Sequence, residues 1–128
     1  SLKKVASGGE QTRIFLSIQI VAAKTTQLPS LILDEADVGV GGTTADTIGR
    51  LLLDLGANTQ VICITHAPQV AAIGQSHMRV VKEDSEATIE NLDYDMRVEE
   101  LARMLAGSGI TEKTRDYANT LLKEASRK

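Results

Sequence analysis

Two adjacent carboxylates, Asp34 and Glu35, follow the apolar run Leu31-Ile32-Leu33. A strand ending this way presents its acids at the carboxyl end of a sheet, where open α/β folds hold ligands. Asp34 has the charge to hold magnesium there. Glu35 can orient and polarise a water for attack on a γ-phosphate, because phosphoryl transfer asks mainly for positioning and charge stabilisation. An ordinary acidic strand end has the same spelling. A second group is Ser7-Gly8-Gly9-Glu10, whose glycines expose backbone N–H groups at a helix start while Ser7 adds a hydroxyl donor. That is an anion site, although a plain N-cap uses the same residue types. The third group is Thr65-His66, after the apolar run Val61-Ile62-Cys63-Ile64. An imidazole at that strand end could hydrogen-bond a phosphate and sense its loss, or could serve structure alone. His77 has no comparable placement and reads as structural or exposed.

The elements that must position these groups follow from apolar spacing. From about Glu10 to Lys24, Ile14, Phe15, Leu16, Ile18, Ile20 and Val21 nearly encircle a helix, which predicts burial on most sides. Leu28-Pro29-Ser30 breaks it, and Leu31-Ile32-Leu33 is short and apolar enough for a central parallel strand. A flexible turn at Gly39 to Gly42 leads to Thr43 or Thr44 as cap of a helix carrying Ile48, Leu51, Leu52 and Leu55, which Gly56 ends. With Val61 to Thr65 as the next strand, Leu31 to Thr65 reads as one strand-helix-strand unit with a right-handed crossover and neighbouring parallel strands. His77 to Lys82 and Ala87 to Asp93 predict a hairpin turning at Asp84-Ser85. Two helices complete the pattern, one with Val98, Leu101, Ala102 and Leu105 on a single face, the other starting near Thr111.

Composition narrows the classes. The chain has 128 residues, 42% of them hydrophobic, which suits one domain with a core. Its net charge of −3 supplies no overall basic field, so composition alone does not suggest nucleic acid. Phe15, Tyr94 and Tyr117 are the only aromatics, too few for a base-stacking platform. No apolar run approaches membrane-spanning length and Ser-Leu-Lys-Lys is no secretion signal, so a soluble intracellular protein is expected. Cys63, inside an apolar run, reads as a core thiol. A start without Met suggests a fragment or processed chain.

Each chemical group is weak alone, but their order is specific: glycine turn, helix, apolar strand with Asp-Glu, glycine-rich turn, helix, apolar strand with His. Together they resemble the second half of an ABC-type ATPase head, and most closely the head of the RecN family, SMC-like bacterial proteins of DNA double-strand-break repair. The resemblance rests on Ala6-Ser7-Gly8-Gly9-Glu10, Leu33-Asp34-Glu35-Ala36-Asp37-Val38-Gly39-Val40-Gly41-Gly42, Thr65-His66-Ala67-Pro68-Gln69-Val70-Ala71, and Arg97-Val98-Glu99-Glu100-Leu101-Ala102-Arg103-Met104-Leu105. Glu10 and the Asp-Val-Gly-Val-Gly-Gly turn point away from transporter heads. The implied fold is α/β: the C-terminal half of a P-loop head, with residues 1–128 as its incomplete C-terminal lobe.

The resemblance implies roles residue by residue. Asp34 is the magnesium-side Walker B carboxylate, Glu35 the catalytic base and His66 the switch histidine. Ser7, Gly8 and Gly9, followed by Glu10, form the signature that touches ATP held by the opposite subunit, and Val38 to Gly41 form the D-loop. ATP and Mg2+ are the implied cofactors. The implied partners are the missing N-terminal head half, a second head in a head-to-head homodimer, and DNA through the complete protein. A cytoplasmic, nucleoid-associated bacterial location goes with them.

No Gly-x-x-x-x-Gly-Lys-Ser/Thr sequence occurs, so the cradle and lysine for the β- and γ-phosphates lie elsewhere, and weak nucleotide binding is expected of this chain by itself. Loss of the strand that carries that loop would leave an unpaired sheet edge. A DEAD-box helicase shares Asp34-Glu35-Ala36-Asp37, but that family has Ser-Ala-Thr where this chain has Thr65-His66-Ala67. A non-catalytic dimerisation module is the other alternative, using the same surfaces without turnover.

Overall fold

Leu31, Ile32 and Leu33 form the centre of strand β1, Ser30–Asp34, in a computed structural model that describes residues 30–34 and 42–126. Helix α1, Gly42–Leu55, leads to β2, Gln60–Ile64, then a short helix α2, Pro68–Ile73. The hairpin strands β3, Met78–Glu83, and β4, Glu86–Asn91, precede helices α3, Tyr94–Ala106, and α4, Glu112–Ala125. The chain divides into two compact units, Ser1–Val70 and Ala71–Lys128, with the boundary inside α2.

In the first unit β1 and β2 pair in parallel, Leu31 with Val61 and Leu33 with Cys63. Those inward residues pack on Ala45, Ile48, Leu52 and Leu55 of α1, a helical stripe. Among the described residues Leu33 and Leu101 are the largest fully buried side chains, and Cys63, partly buried, packs against this core. Leu51 lies at the stripe's edge and is exposed. The helix begins at Gly42, just before the threonines expected to cap it. Its end is as expected, with the Gly56 N–H donating to Leu52 O at 2.9 Å. The apolar strand run predicts cover on both faces, yet Ile32 is 64% exposed and Ile62 and Ile64 are also exposed. Period-two alternation sends them away from α1, the helix that packs on this sheet among the described residues.

In the second unit β3 and β4 pair antiparallel, with Val80 opposite Ile89 and the turn at Asp84-Ser85. Both turn residues have positive φ, 46° and 70°, as a two-residue hairpin requires. Leu101 and Ala102 of α3 pack with Ala72, Ala118 and Leu122, flanked by Val98 and Leu105. Asp93 caps α3, accepting from the Met96 N–H at 2.8 Å. Gly107, at φ 63°, closes α3 in a backbone region that suits glycine. Thr111 and Thr114 form a capping box that starts α4.

Candidate functional site

Parallel pairing sets the first relationship: Asp34, last residue of β1, stands opposite Ile64, last residue of β2. Two neighbouring strands therefore end together, at the carboxyl end of the sheet. Asp34 is exposed there, and so is His66, two residues beyond β2. This is the end of a parallel sheet where α/β proteins bind ligands. Glu35 and the Ser7, Gly8, Gly9 and Glu10 group lie outside the described residues, as do the 10–24 helix and the Val38 to Gly41 turn.

The turn that carries His66 is shaped locally. Thr65 Oγ1 accepts from the Ala67 N–H at 2.9 Å, a side-chain bond that spans His66. Ala67 O then accepts from the Val70 N–H at 3.1 Å. Pro68 opens α2, a position where its fixed φ suits the helix and its missing N–H costs nothing. Thus the backbone on both sides of His66 is committed.

The other end of α2 is held by Arg97 of α3. Its Nη2 donates to Ala71 O at 3.0 Å, Ala72 O at 3.4 Å and Gly74 O at 2.9 Å. These are carbonyls that a helix end leaves without intrahelical donors, and a cation there also suits the helix dipole. Arg97 is half-buried, and that burial pulls its guanidinium below the usual range, opposed by Tyr94. Arg97 stands in a quoted motif, but nothing in the sequence assigns it this contact.

Beside it, Glu100 is buried at 4% exposure and accepts from Arg79 of β3 at 3.3 Å and from Arg103 Nε at 2.9 Å. Arg79 also donates to Glu90 of β4 at 2.7 Å. Burial opposes ionisation of Glu100, but the hydrogen bonds from Arg103 and Arg79 outweigh it and hold its carboxyl below the ordinary range. His77 is pushed down by its own burial and by Arg97 and Arg79, with Glu100 opposing. So His77 is a partly buried member of this charge cluster.

Whether the described residues suit a magnesium nucleotide is a question of donor chemistry. No group of three or more His, Cys, Asp and Glu side chains gathers among them to cage a metal. Magnesium on a nucleotide needs no such cage, since it keeps waters and takes one or two carboxylates together with phosphate oxygens. An exposed carboxylate at a strand end, as Asp34 is, fits that demand. Among the described residues no helix is long and apolar enough to cross a membrane.

No protein-family profile matches the chain. Among curated proteins it is 48% identical over 125 residues to the DNA repair protein RecN of Vibrio cholerae, covering 94% of this chain and 23% of that protein. The DNA repair protein RecN of Bacillus subtilis is 40% identical over 129 residues, 98% of this chain and 22% of the relative. That of Mycobacterium leprae is 45% identical over 129 residues, 99% and 22%. The chain thus spans under a quarter of the length of the curated relatives it matches. Among solved structures, one from work on ATP-driven dimerisation and DNA-stimulated activation of SMC ATPases aligns with TM-score 0.73 at 19% identity, over 83% of this chain and 66% of the other. The SMC head domain from Thermotoga maritima aligns with TM-score 0.61 at 26% identity, over 70% and 34%. Over nearly its whole length the sequence is RecN-like, and its fold is that of part of an SMC-type ATPase head.

Proposed function

We propose that this RecN-like segment is the C-terminal lobe of an ATP-hydrolysing head in a DNA-repair protein, and that its ATP site is shared between two heads. The observation that carries the proposal is the parallel register that ends β1 and β2 together at Asp34 and Ile64, so that Asp34 and the turn bearing His66 lie at the same carboxyl end of the sheet. Two further supports are the identity to RecN proteins and the fold similarity to SMC heads.

On this reading each residue has a distinct task. Asp34 holds magnesium, and Glu35, next in sequence, orients a water and takes up its proton. His66 donates a hydrogen bond to a phosphate oxygen from a turn fixed by Thr65. Ser7 and the N–H groups of Gly8 and Gly9 donate to phosphate held by the opposite head. Magnesium, when bound, neutralises charge on the phosphates. The phosphate loop, the second head and DNA belong to the complete protein.

The test compares Glu35→Gln with Asp34→Asn in the complete protein. Glu35→Gln keeps size and hydrogen-bonding shape but removes the base, so ATP binds and heads close while cleavage slows by about 10² to 10⁴. Asp34→Asn weakens metal-dependent nucleotide binding itself. Single-turnover hydrolysis beside a dimer assay separates them. Parental turnover by Glu35→Gln sinks the catalytic assignment, and dimerisation without hydrolysis in the unmodified protein would leave only a dimerisation module.

A further inference from the structure

We infer that Thr65 is a positioning residue for His66, its hydroxyl setting the backbone from which the imidazole projects. The inference rests on the phosphate-contacting role proposed above for His66.

Strand β2 ends at Ile64 and α2 begins at Pro68, which leaves Thr65, His66 and Ala67 to carry the chain from one to the other. Both ends of this link are anchored within the first unit. Ile64 is paired with Asp34, and Ala67 packs against the core that buries Leu33, Leu52 and Val70. The carbonyl of Ala67 is also held, accepting from the Val70 N–H at 3.1 Å. Two anchors fix the span but not the path, because His66 between them is exposed and has two soft backbone dihedrals. The Ala67 N–H lies past the end of β2 and ahead of α2, and its acceptor is Thr65 Oγ1 at 2.9 Å. That bond closes a ring across His66 and takes up the freedom that the anchors leave. Threonine suits the task, since branching at Cβ restricts χ1 and keeps the hydroxyl aimed at the N–H. Thr65 therefore bears on the reaction only through the residue it spans.

The consequence is specific to turnover. A hydrogen bond to a phosphate oxygen tolerates little displacement, and a misplacement of about 1 Å can cost roughly 10² in rate. Thr65→Val keeps the shape of the side chain but puts a methyl where the acceptor was, so kcat should fall with little change in KM.

The experiment is a double-mutant cycle on ATP hydrolysis in the complete protein, with Thr65→Val, His66→Ala and both, read as single-turnover rates over a range of ATP so that slow variants stay measurable. Thr65→Val alone should lose about 10-fold to 100-fold in kcat, and nothing further in the His66→Ala background. Thr65→Ser, which keeps the oxygen, should retain most of the turnover. Thr65→Ala removes the hydroxyl without setting a methyl against the Ala67 N–H, and it carries the cycle should the valine variant fold poorly. Equal fractional losses in both backgrounds would make Thr65 a general support of the fold and overturn the inference. So would unchanged kcat in Thr65→Val, a loss in Thr65→Ser as large as in Thr65→Val, or thermal midpoints well below the parent in both the valine and alanine variants. Parental turnover by His66→Ala would instead sink the role given to His66, and the inference with it.

Discussion

Arg79 and Glu100 join the β3–β4 hairpin to α3 through a 3.3 Å hydrogen bond, with the Glu100 side chain only 5% exposed. Arg103 approaches the same carboxylate from one turn further along α3. Removing the acid takes the counter-charge from Arg103 and one of two from Arg79, which keeps Glu90, and both guanidinium groups reach solvent in part, which limits the loss. Glu100→Ala should lower the local stability of α3 and the hairpin by about 1–3 kcal/mol. Peptide-resolved hydrogen exchange in the complete protein reads this as faster exchange in 78–106. The folded carboxyl is held below its unfolded value, so this stabilisation is present above the ordinary carboxylate range and fades as pH falls through the depressed value.

His77 titrates in the opposite chemical sense but with the same sign for stability. Its folded pKa lies below the unfolded value of about 6.5, because burial and the nearby Arg97 and Arg79 disfavour the charged ring against the opposing pull of Glu100. Between the two values the unfolded chain binds more protons, so stability rises with pH through that window and is complete above it. Lowering the pH from about 7.5 to 5.5 should therefore loosen the hairpin, and His77→Asn should remove that part of the slope. Exchange rates corrected for their intrinsic pH dependence are the measurement; an unchanged slope in His77→Asn would show that another group titrates.

The hairpin turn offers a gain. Asp84 and Ser85 both hold positive φ, 46° and 70°, a region that costs a residue with a Cβ about 1–2 kcal/mol. Glycine adopts it freely but loses more chain entropy on folding. Ser85→Gly should stabilise β3–β4 by about 0.5–1 kcal/mol net, and Ser85→Val should destabilise it. Slower exchange of the amides in 78–91 for the glycine variant, and faster for the valine, would bear this out.

These elements also show why some of the architecture was legible in the sequence. Leu31-Ile32-Leu33 and Val61 to Ile64 have the length and composition of parallel strands, and Gly56 and Asp84-Ser85 punctuate where the chain turns. The face of α3 follows from period alone. What period cannot carry is α2, whose six residues give no repeat to detect. Nor can it carry Arg97's contact with Ala71, 26 positions away, which exists only once α3 has packed. The burial of Glu100 was hidden for a related reason: an acid in a helix reads as solvated until the two arginines that neutralise it are brought beside it. For the candidate site, strand ends located Asp34 and His66, whereas Glu35 and the Ser7 group fall outside the described residues.

A shared site makes a prediction that a self-contained one does not. If Ser7 of one head serves the nucleotide bound by the other, then Ser7→Arg, which puts a bulky cation where a hydroxyl donor is needed, should block ATP-driven dimerisation. It should leave each head's own nucleotide binding largely intact. Glu35→Gln disables the opposite member of the composite site, so each variant alone should be inactive. In a mixed dimer one site combines both damaged residues, while the other combines an intact Glu35 with an intact Ser7 from the partner head. Mixing two inactive complete proteins should therefore restore hydrolysis, to a level that rises and falls with the fraction of mixed dimers. A site built within one head predicts no recovery at any mixing ratio, because every head would carry one lesion in its own site. Steady-state hydrolysis measured across mixing ratios distinguishes the two, and a flat, inactive profile would end the shared-site proposal provided that mixed dimers are detected in the same samples.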